Sequence, residues 1–178
     1  GMCGLAATAK LLLTGIDNVV ALDAAPAGRE GPWITFARMN TLRSPKQLSG
    51  PALGLASLTF RAWVTASHGR PAWQAMDKIP RERWMDYLVW YRRVLRLPVR
   101  NRHRVTSIGF EGELITLDAE TPKGPSRMRA RRLVLATGRS GLGGTYVPEF
   151  LDGIDPRRWA HSADDIDFAA LRGKRVAV

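Results

Sequence analysis

Gly1-Met2-Cys3-Gly4 leads directly into Leu5–Leu13, a run dominated by Leu and Ala. Gly-x-x-Gly at the start of a helix is the back half of a G-x-G-x-x-G loop, whose chemistry is to hold a pyrophosphate. The first glycine of this half lets the backbone approach the phosphates, and the second permits tight packing of helix on strand. The helix N-terminus adds unpaired amide donors and the positive end of its dipole. Asp23 stands 19 residues after Gly4 and closes the apolar run Asn18-Val19-Val20-Ala21-Leu22. A carboxylate at the end of that strand accepts hydrogen bonds from ribose hydroxyls. Gly-x-x-Gly alone is common by chance, so the weight rests on the pairing with Asp23.

Other chemistries are poorly served. Cys3 is the one cysteine, which rules out an internal disulfide and a Cys-x-x-Cys redox pair. His68, His103 and His161 are far apart in sequence, and no group of His, Cys and carboxylate has the spacing of metal ligands. The net charge is +11, with a sequence pI near 11.0. A surplus of that size fits nucleic acid, membrane or anionic ligands. The cations are dispersed, however, and dense only at 100–104 and 127–132. No base-stacking platform or recognition helix accompanies them. A nucleic-acid binder is therefore a remote alternative, and it would show steeply salt-dependent affinity. No run approaches the roughly 18–20 apolar residues of a membrane span, and no signal-peptide pattern opens the chain. The expectation is a soluble, cytoplasmic protein.

The elements that must position these residues can be read from pattern. Gly15 ends the first helix, and 18–22 reads as a buried parallel strand. From Ala24 to Pro51 there is little periodicity and much Gly, Pro, Arg and Ser. An irregular stretch of that length in a compact domain is usually functional. Helical patterning returns at 58–67 and 72–77. After Pro80 a third helix carries Trp84, Tyr87, Leu88, Tyr91, Val94 and Leu95 on one stripe. That stripe reads as core rather than as a cofactor box. Segments 105–110, 113–118 and 129–136 read as an antiparallel meander that runs into the apolar strand Leu133-Val134-Leu135-Ala136, closed by Thr137-Gly138. Lys174–Val178 begins another buried-strand pattern.

The loop after Asp23 contains Gly28-Arg29-Glu30-Gly31-Pro32-Trp33 and then Arg38-Met39-Asn40-Thr41-Leu42-Arg43-Ser44-Pro45. This order resembles the two-dinucleotide-domain (class B) flavoprotein monooxygenases, where a Gly-x-Trp element and an arginine loop near the isoalloxazine ring follow the acidic residue. Ala136-Thr137-Gly138 is similar to the family's segment at the junction of the flavin and nicotinamide domains. His161-Ser162 and Leu171–Val178 are similar to its approach into the second glycine loop. The fold so implied is α/β, a Rossmann-like FAD/NAD(P)-binding three-layer ββα fold with a parallel sheet and a small antiparallel β-meander. The cofactors implied are FAD and NADPH, and the activity is FAD-dependent, NADPH-using oxygenation of a small organic substrate by molecular oxygen. The cofactor-binding residues implied are Gly1, Met2, Cys3, Gly4, Asp23, Trp33, Arg38, Arg43, Thr137 and Gly138. Arg38 or Arg43 would stabilise negative charge on the flavin. No catalytic residue and no metal ligand is assigned.

Two departures from the pattern matter. Phe150, Gly153, Trp159 and His161 echo the Baeyer–Villiger fingerprint with different spacing, and Ser162-Ala163-Asp164-Asp165 lacks its aromatic-proline step. Arg43-Ser44 is followed by Pro45 where that branch tends to place an acid. Both shift the expectation from ketone oxygenation toward flavin monooxygenation in general.

Against the family frame, residues 1–171 are expected to form a partial FAD domain without its first strand, and 172–178 to begin an NADPH domain. A sheet lacking its central strand would leave backbone groups unpaired. Arg175–Val178 is therefore expected to fill the gap, within the chain or by exchange in a homo-oligomer. A non-catalytic nucleotide-binding remnant of the same fold is the principal alternative.

Overall fold

In the computed structural model the described residues are 1–48, 50–138 and 145–177. Helix α1 spans Met2–Leu13 and strand β1 spans Ala21–Asp23. Helices α2 (Phe60–Ala75) and α3 (Arg81–Val94) follow, then strand β2 (Val99–Asn101). Strands β3 (Arg104–Glu111), β4 (Leu114–Thr121) and β5 (Gly124–Ala130) complete the regular structure. β1 pairs with β2 in parallel, Asp23 opposite Asn101. β3, β4 and β5 form an antiparallel sheet in that order. The architecture is thus the expected mixed α/β arrangement of a parallel sheet and a small antiparallel one. β1 contacts both α1 and β3, so the strand that carries Asp23 adjoins the helix and the meander.

Local chemistry explains the helices. Thr59 caps α2 by accepting the Ala62 amide at its Oγ1 (3.2 Å). The two helical patches read at 58–67 and 72–77 form one element broken at Gly69, which adopts φ 82° and ψ 162° just before Pro71. Proline cannot supply the missing amide inside a helix. Pro80 lies immediately outside α3, as its N-cap.

The α3 stripe is core, as its spacing implies. Trp84, Tyr87, Leu88 and Tyr91 are buried with Phe60, Trp63 and Val64 of α2, Ala9 of α1, and Leu42 and Ala52 of the irregular segment. Val94 lies at the frayed end of the stripe and is 49% exposed. Phe60 meets Tyr87 edge-on, with centroids 5.5 Å apart, and Trp84 lies 5.1 Å from Tyr87. Both tyrosine hydroxyls are satisfied inside the core: Tyr87 donates to the Leu58 carbonyl and Tyr91 to the Pro51 carbonyl, each at 2.6 Å. α3 therefore anchors the irregular 41–58 segment through two hydroxyls as well as through packing.

Burial pushes the Tyr87 phenol well above its ordinary value of 10.0, and Tyr91 follows the same way. A phenol whose folded pKa is raised supports the fold fully below the unfolded pKa, and this support is lost as pH climbs from there toward the folded value. Thermal melts should accordingly show stability falling as pH rises above about 10. Tyr87→Phe should flatten that fall, and at neutral pH it should cost about 1 kcal/mol for the lost hydrogen bond.

Three sequence expectations are corrected. The third meander strand is Gly124–Ala130, not 129–136. Only Pro122 and Lys123 lie between β4 and β5, and Thr121 Oγ1 accepts the Lys123 amide at 3.1 Å. Pro125 is tolerated because β5 is an edge strand. Leu133–Ala136 forms no ladder among the described residues, and Val134 and Leu135 are 60% and 56% exposed. The apolar run that signals a buried strand finds no neighbouring strand to bury it. Residues 174–177 likewise carry no ladder, and Val178 lies outside the described residues. The expected filling of the sheet by Arg175–Val178 is thus not made within the chain by its described residues 175–177. Among the described residues no helix is long and apolar enough to cross a membrane.

Candidate functional site

The N-terminus of α1 is built as an anion-accepting end. Gly1 is its N-cap, no side chain caps it, and its first turn carries no acidic residue. The Gly1 carbonyl accepts the Leu5 amide (3.1 Å), which leaves the earlier amides without intrahelical acceptors. Thr8 hydroxyl donates to the Gly4 carbonyl at 2.8 Å, on the buried side of the helix. A Cβ placed on Gly4 would lie 3.5 Å from the Cβ of Ala136, so the segment that leads into Thr137-Gly138 runs against this helix end. Alanine would fit at Gly4, while a branched side chain would push the two apart. Cys3 is exposed on the same turn.

Asp23 closes β1 beside this end. Its Oδ2 lies 3.4 Å from the Gly1 nitrogen, and its Oδ1 accepts the Ala25 amide at 2.9 Å. The carboxylate is 22% exposed, so it is held by the backbone and still reachable by a ligand hydroxyl. On the other flank Gly31 adopts φ +78°, and a Cβ added there would meet the Gly1 Cα at 3.5 Å and the Trp33 Nε1 at 3.7 Å. The Gly31 turn therefore lies backbone-to-backbone against the helix start; a Cβ there would make ordinary contacts, and it is the positive φ that favours glycine. Gly31→Val, with a β-branched side chain at φ +78°, should abolish dinucleotide binding, which flavin fluorescence titration would read, and through Trp33 and Trp84 it should also lower the thermal midpoint slightly. Trp33 packs edge-on against Trp84 at 6.1 Å, and its buried indole N–H has no acceptor among the described residues.

The two loop arginines take different places. Arg38 donates from Nε to the Ser162 carbonyl (3.1 Å) and from Nη2 to the Asp164 carbonyl (2.5 Å), and its guanidinium lies 5.3 Å from the Phe168 ring centroid. It pins the 161–168 segment, where the Asp164 carboxylate accepts the His161 amide at 2.7 Å and His161 Nδ1 accepts the Ala163 amide at 3.0 Å. Arg43 is exposed and makes no ion pair among the described residues. It borders a hollow of about 300 Å³ with Ser44, Lys46, Asp77 and Lys78. The structure thus brings Gly1–Gly4, Asp23, Gly31 and Trp33 together around one helix end, with 136–138 passing close to it. It carries Arg38 to a different segment. Thr137 and Gly138 are exposed, Gly138 at φ +76°. Residues 139–144, beyond them, lie outside the described set. Among the described residues no group of three or more His, Cys, Asp and Glu has the arrangement of a metal site.

Sequence reasoning passed over one group. Glu30, immediately before Gly31, is buried at 8% exposure. Its Oε1 accepts from Arg92 Nη1 (2.8 Å) and from Asn101 Nδ2 (2.7 Å). Arg92 was legible only as a cation near a helix C-terminus, and Asn101 only as a polar residue in a basic stretch.

These residues fit a bound dinucleotide: an uncapped helix end, a glycine cradle that a Cβ would fill, and a carboxylate at the adjoining strand end. Comparison with known proteins agrees. The chain is 44% identical, over its whole length, to the FAD-dependent urate hydroxylase of Xanthomonas campestris pv. campestris, of which it covers 38%. The FAD-bound cadaverine monooxygenase of the desferrioxamine biosynthetic pathway of Erwinia amylovora superposes with a TM-score of 0.67 at 16% identity, over 92% of this chain and 39% of that one. The ornithine N-hydroxylase of Kutzneria sp. 744 superposes with a TM-score of 0.61 at 17% identity, over 74% of this chain and 34% of that one. The two structures share the fold, and the chain spans less than two fifths of the length of each of these relatives. The family model for L-lysine 6-monooxygenase/L-ornithine 5-monooxygenase matches residues 72–178, and with more than half of its length so matched the chain belongs to that family.

Proposed function

We propose that this chain is the FAD-binding portion of an FAD-dependent, NADPH-using monooxygenase. The observation that carries the reading is the α1 N-terminus, left without a side-chain cap and flanked by Asp23 on one side and the Gly31 turn on the other. FAD, when bound, supplies the electron transfer and oxygen chemistry, for which the protein provides binding, orientation and electrostatics. The amides of Met2, Cys3 and Gly4 donate to the pyrophosphate, with the helix dipole favouring its charge. Asp23 accepts from the adenosine ribose hydroxyls. Gly1 and Gly31 keep side chains out of the phosphate path, and Trp33 backs the turn and shields it from water. Thr137 and Gly138 directly follow Ala136, which borders the same helix end. Arg43, unlike Arg38, has its guanidinium available to steady negative charge at the flavin ring.

On this reading the FAD portion runs over 1–171 and the NADPH portion begins at 172; the short 3-10 turn Ala169–Leu171, which ends at that point, supports it. The partners on this reading are a small organic substrate and molecular oxygen, and the compartment is the cytoplasm. Urate is the first substrate to test, because a relative 44% identical to this chain acts on it by name, whereas the family model names lysine and ornithine.

NADPH oxidation by the whole monooxygenase of which this chain is the proposed portion, loaded with FAD, tests the activity. Stimulation by urate, with flavin bleached by NADPH under nitrogen and restored by air, is the expected result. Stimulation by lysine or ornithine instead would move the substrate to an amine. Bound flavin that NADPH never reduces would make the protein a non-catalytic nucleotide binder.

A further inference from the structure

The buried Glu30 group lies behind the candidate site and touches none of the surfaces a ligand would meet. Arg92, in the last turn of α3, is shared three ways. Its Nη1 donates to Glu30 Oε1 (2.8 Å) and to Asn101 Oδ1 (2.6 Å), and its Nη2 donates to the Val99 carbonyl (2.8 Å). Asn101 Nδ2 in turn donates to Glu30 Oε1 (2.7 Å) and to the Ala25 carbonyl (3.1 Å). The amides of Arg102 and His103 continue the clasp onto the Ala25 and Asp23 carbonyls, at 3.1 and 3.0 Å.

Each partner lies one step from the site. Asn101 stands opposite Asp23 in the parallel pair. Ala25, whose carbonyl is held, is the residue whose amide fixes the Asp23 carboxylate. Glu30 is bonded in sequence to Gly31, which closes on Gly1. A buried carboxylate is retained at a desolvation cost that needs paired, well-directed partners, and a guanidinium fork is the side chain that can serve three acceptors at once.

We propose that Glu30, Arg92 and Asn101 are positioning residues for the dinucleotide site: they fix the distance between the ribose-reading Asp23 and the Gly31 turn across the α1 N-terminus. The proposal rests on the reading of that helix end as the pyrophosphate site. It requires that Glu30 act on the ligand through Asp23 and Gly31, so its effect on binding is coupled to theirs and is confined to the adenosine-pyrophosphate half of FAD.

The test is a double-mutant cycle on FAD affinity, with Asp23→Asn, Glu30→Gln and the pair, read by flavin fluorescence and repeated with ADP as competitor. Expected is a tenfold or greater loss for each single variant, equal for FAD and ADP, and a loss in the pair clearly smaller than the product of the two. Independent losses that multiply, or a Glu30→Gln chain that binds FAD like the parent, would overturn the positioning role. Arg92→Lys keeps the charge but cannot reach three acceptors, and it serves the same cycle if Glu30→Gln does not fold. Absence of FAD binding in the unmodified chain would instead overturn the reading of the site, and the positioning role with it. Binding that Asp23→Asn leaves untouched would remove the link to Asp23 on which the role depends.

Discussion

Asp23→Asn should weaken FAD binding about 10- to 100-fold while leaving the thermal midpoint within a few degrees of the parent. The carboxylate is the acceptor that would take the ribose hydroxyls, and charge-assisted hydrogen bonds of that kind contribute about 1.5–3 kcal/mol, which corresponds to roughly one to two decades of affinity. Its structural duty is small by comparison: Oδ1 takes one amide, that of Ala25, a bond an Asn Oδ1 can also accept, and Oδ2 makes only a long 3.4 Å contact with the Gly1 nitrogen. The two effects are therefore separable. Calorimetric titration with FAD and with riboflavin checks the assignment: the loss belongs to FAD, because riboflavin carries neither pyrophosphate nor adenosine.

Gly50→Ala should be among the most destabilising single changes in the chain, at about 2–4 kcal/mol, adding overpacking to a strained backbone. Gly50 has φ +68°, which L side chains rarely adopt, and a Cβ there would lie 2.8 Å from Trp84 Cη2 and 3.4 Å from the Tyr87 ring. Neither ring has room to yield. Trp84 also packs on Phe60 at 5.6 Å and on Trp33 at 6.1 Å, and the Tyr87 hydroxyl is tied to the Leu58 carbonyl. Urea unfolding should show the loss as a lower midpoint with an unchanged slope. Because Trp33 joins the same aromatic cluster, some of the disturbance should reach the dinucleotide site as a smaller loss of FAD affinity.

The parts of the structure legible in sequence are those governed by local pattern. The α3 stripe declares itself because Trp84, Tyr87, Leu88 and Tyr91 fall on one helical face whatever packs against them. Asp23 at a strand end and Gly1–Gly4 at a helix start are local too, and the structure brings them together. What escaped depends on partners distant in sequence. Val99-Arg100-Asn101 is short and half polar, and nothing in it announces pairing with Ala21–Asp23. Glu30 looks like an ordinary loop acid until Arg92 and Asn101, 62 and 71 residues away, are seen to converge on it. Leu133–Ala136 misled in the other direction, since apolar composition marks a strand that wants burial, while burial itself requires a neighbour. Arg38 was grouped with Arg43 by proximity in the loop, and a long-range contact with Ser162 and Asp164 separates them.

The family to which the chain belongs and the geometry of its helix end converge on one central claim, that Gly1–Gly4, Asp23 and Gly31 hold the adenosine-pyrophosphate half of FAD. Titration of the purified chain with FAD, ADP and riboflavin tests it most directly. The account predicts saturable FAD binding with a shifted flavin absorbance band, displacement of FAD by ADP, and weak or no binding of riboflavin. Flavin binding that ADP fails to displace and that riboflavin matches would contradict it, as would a chain that takes up no flavin at all.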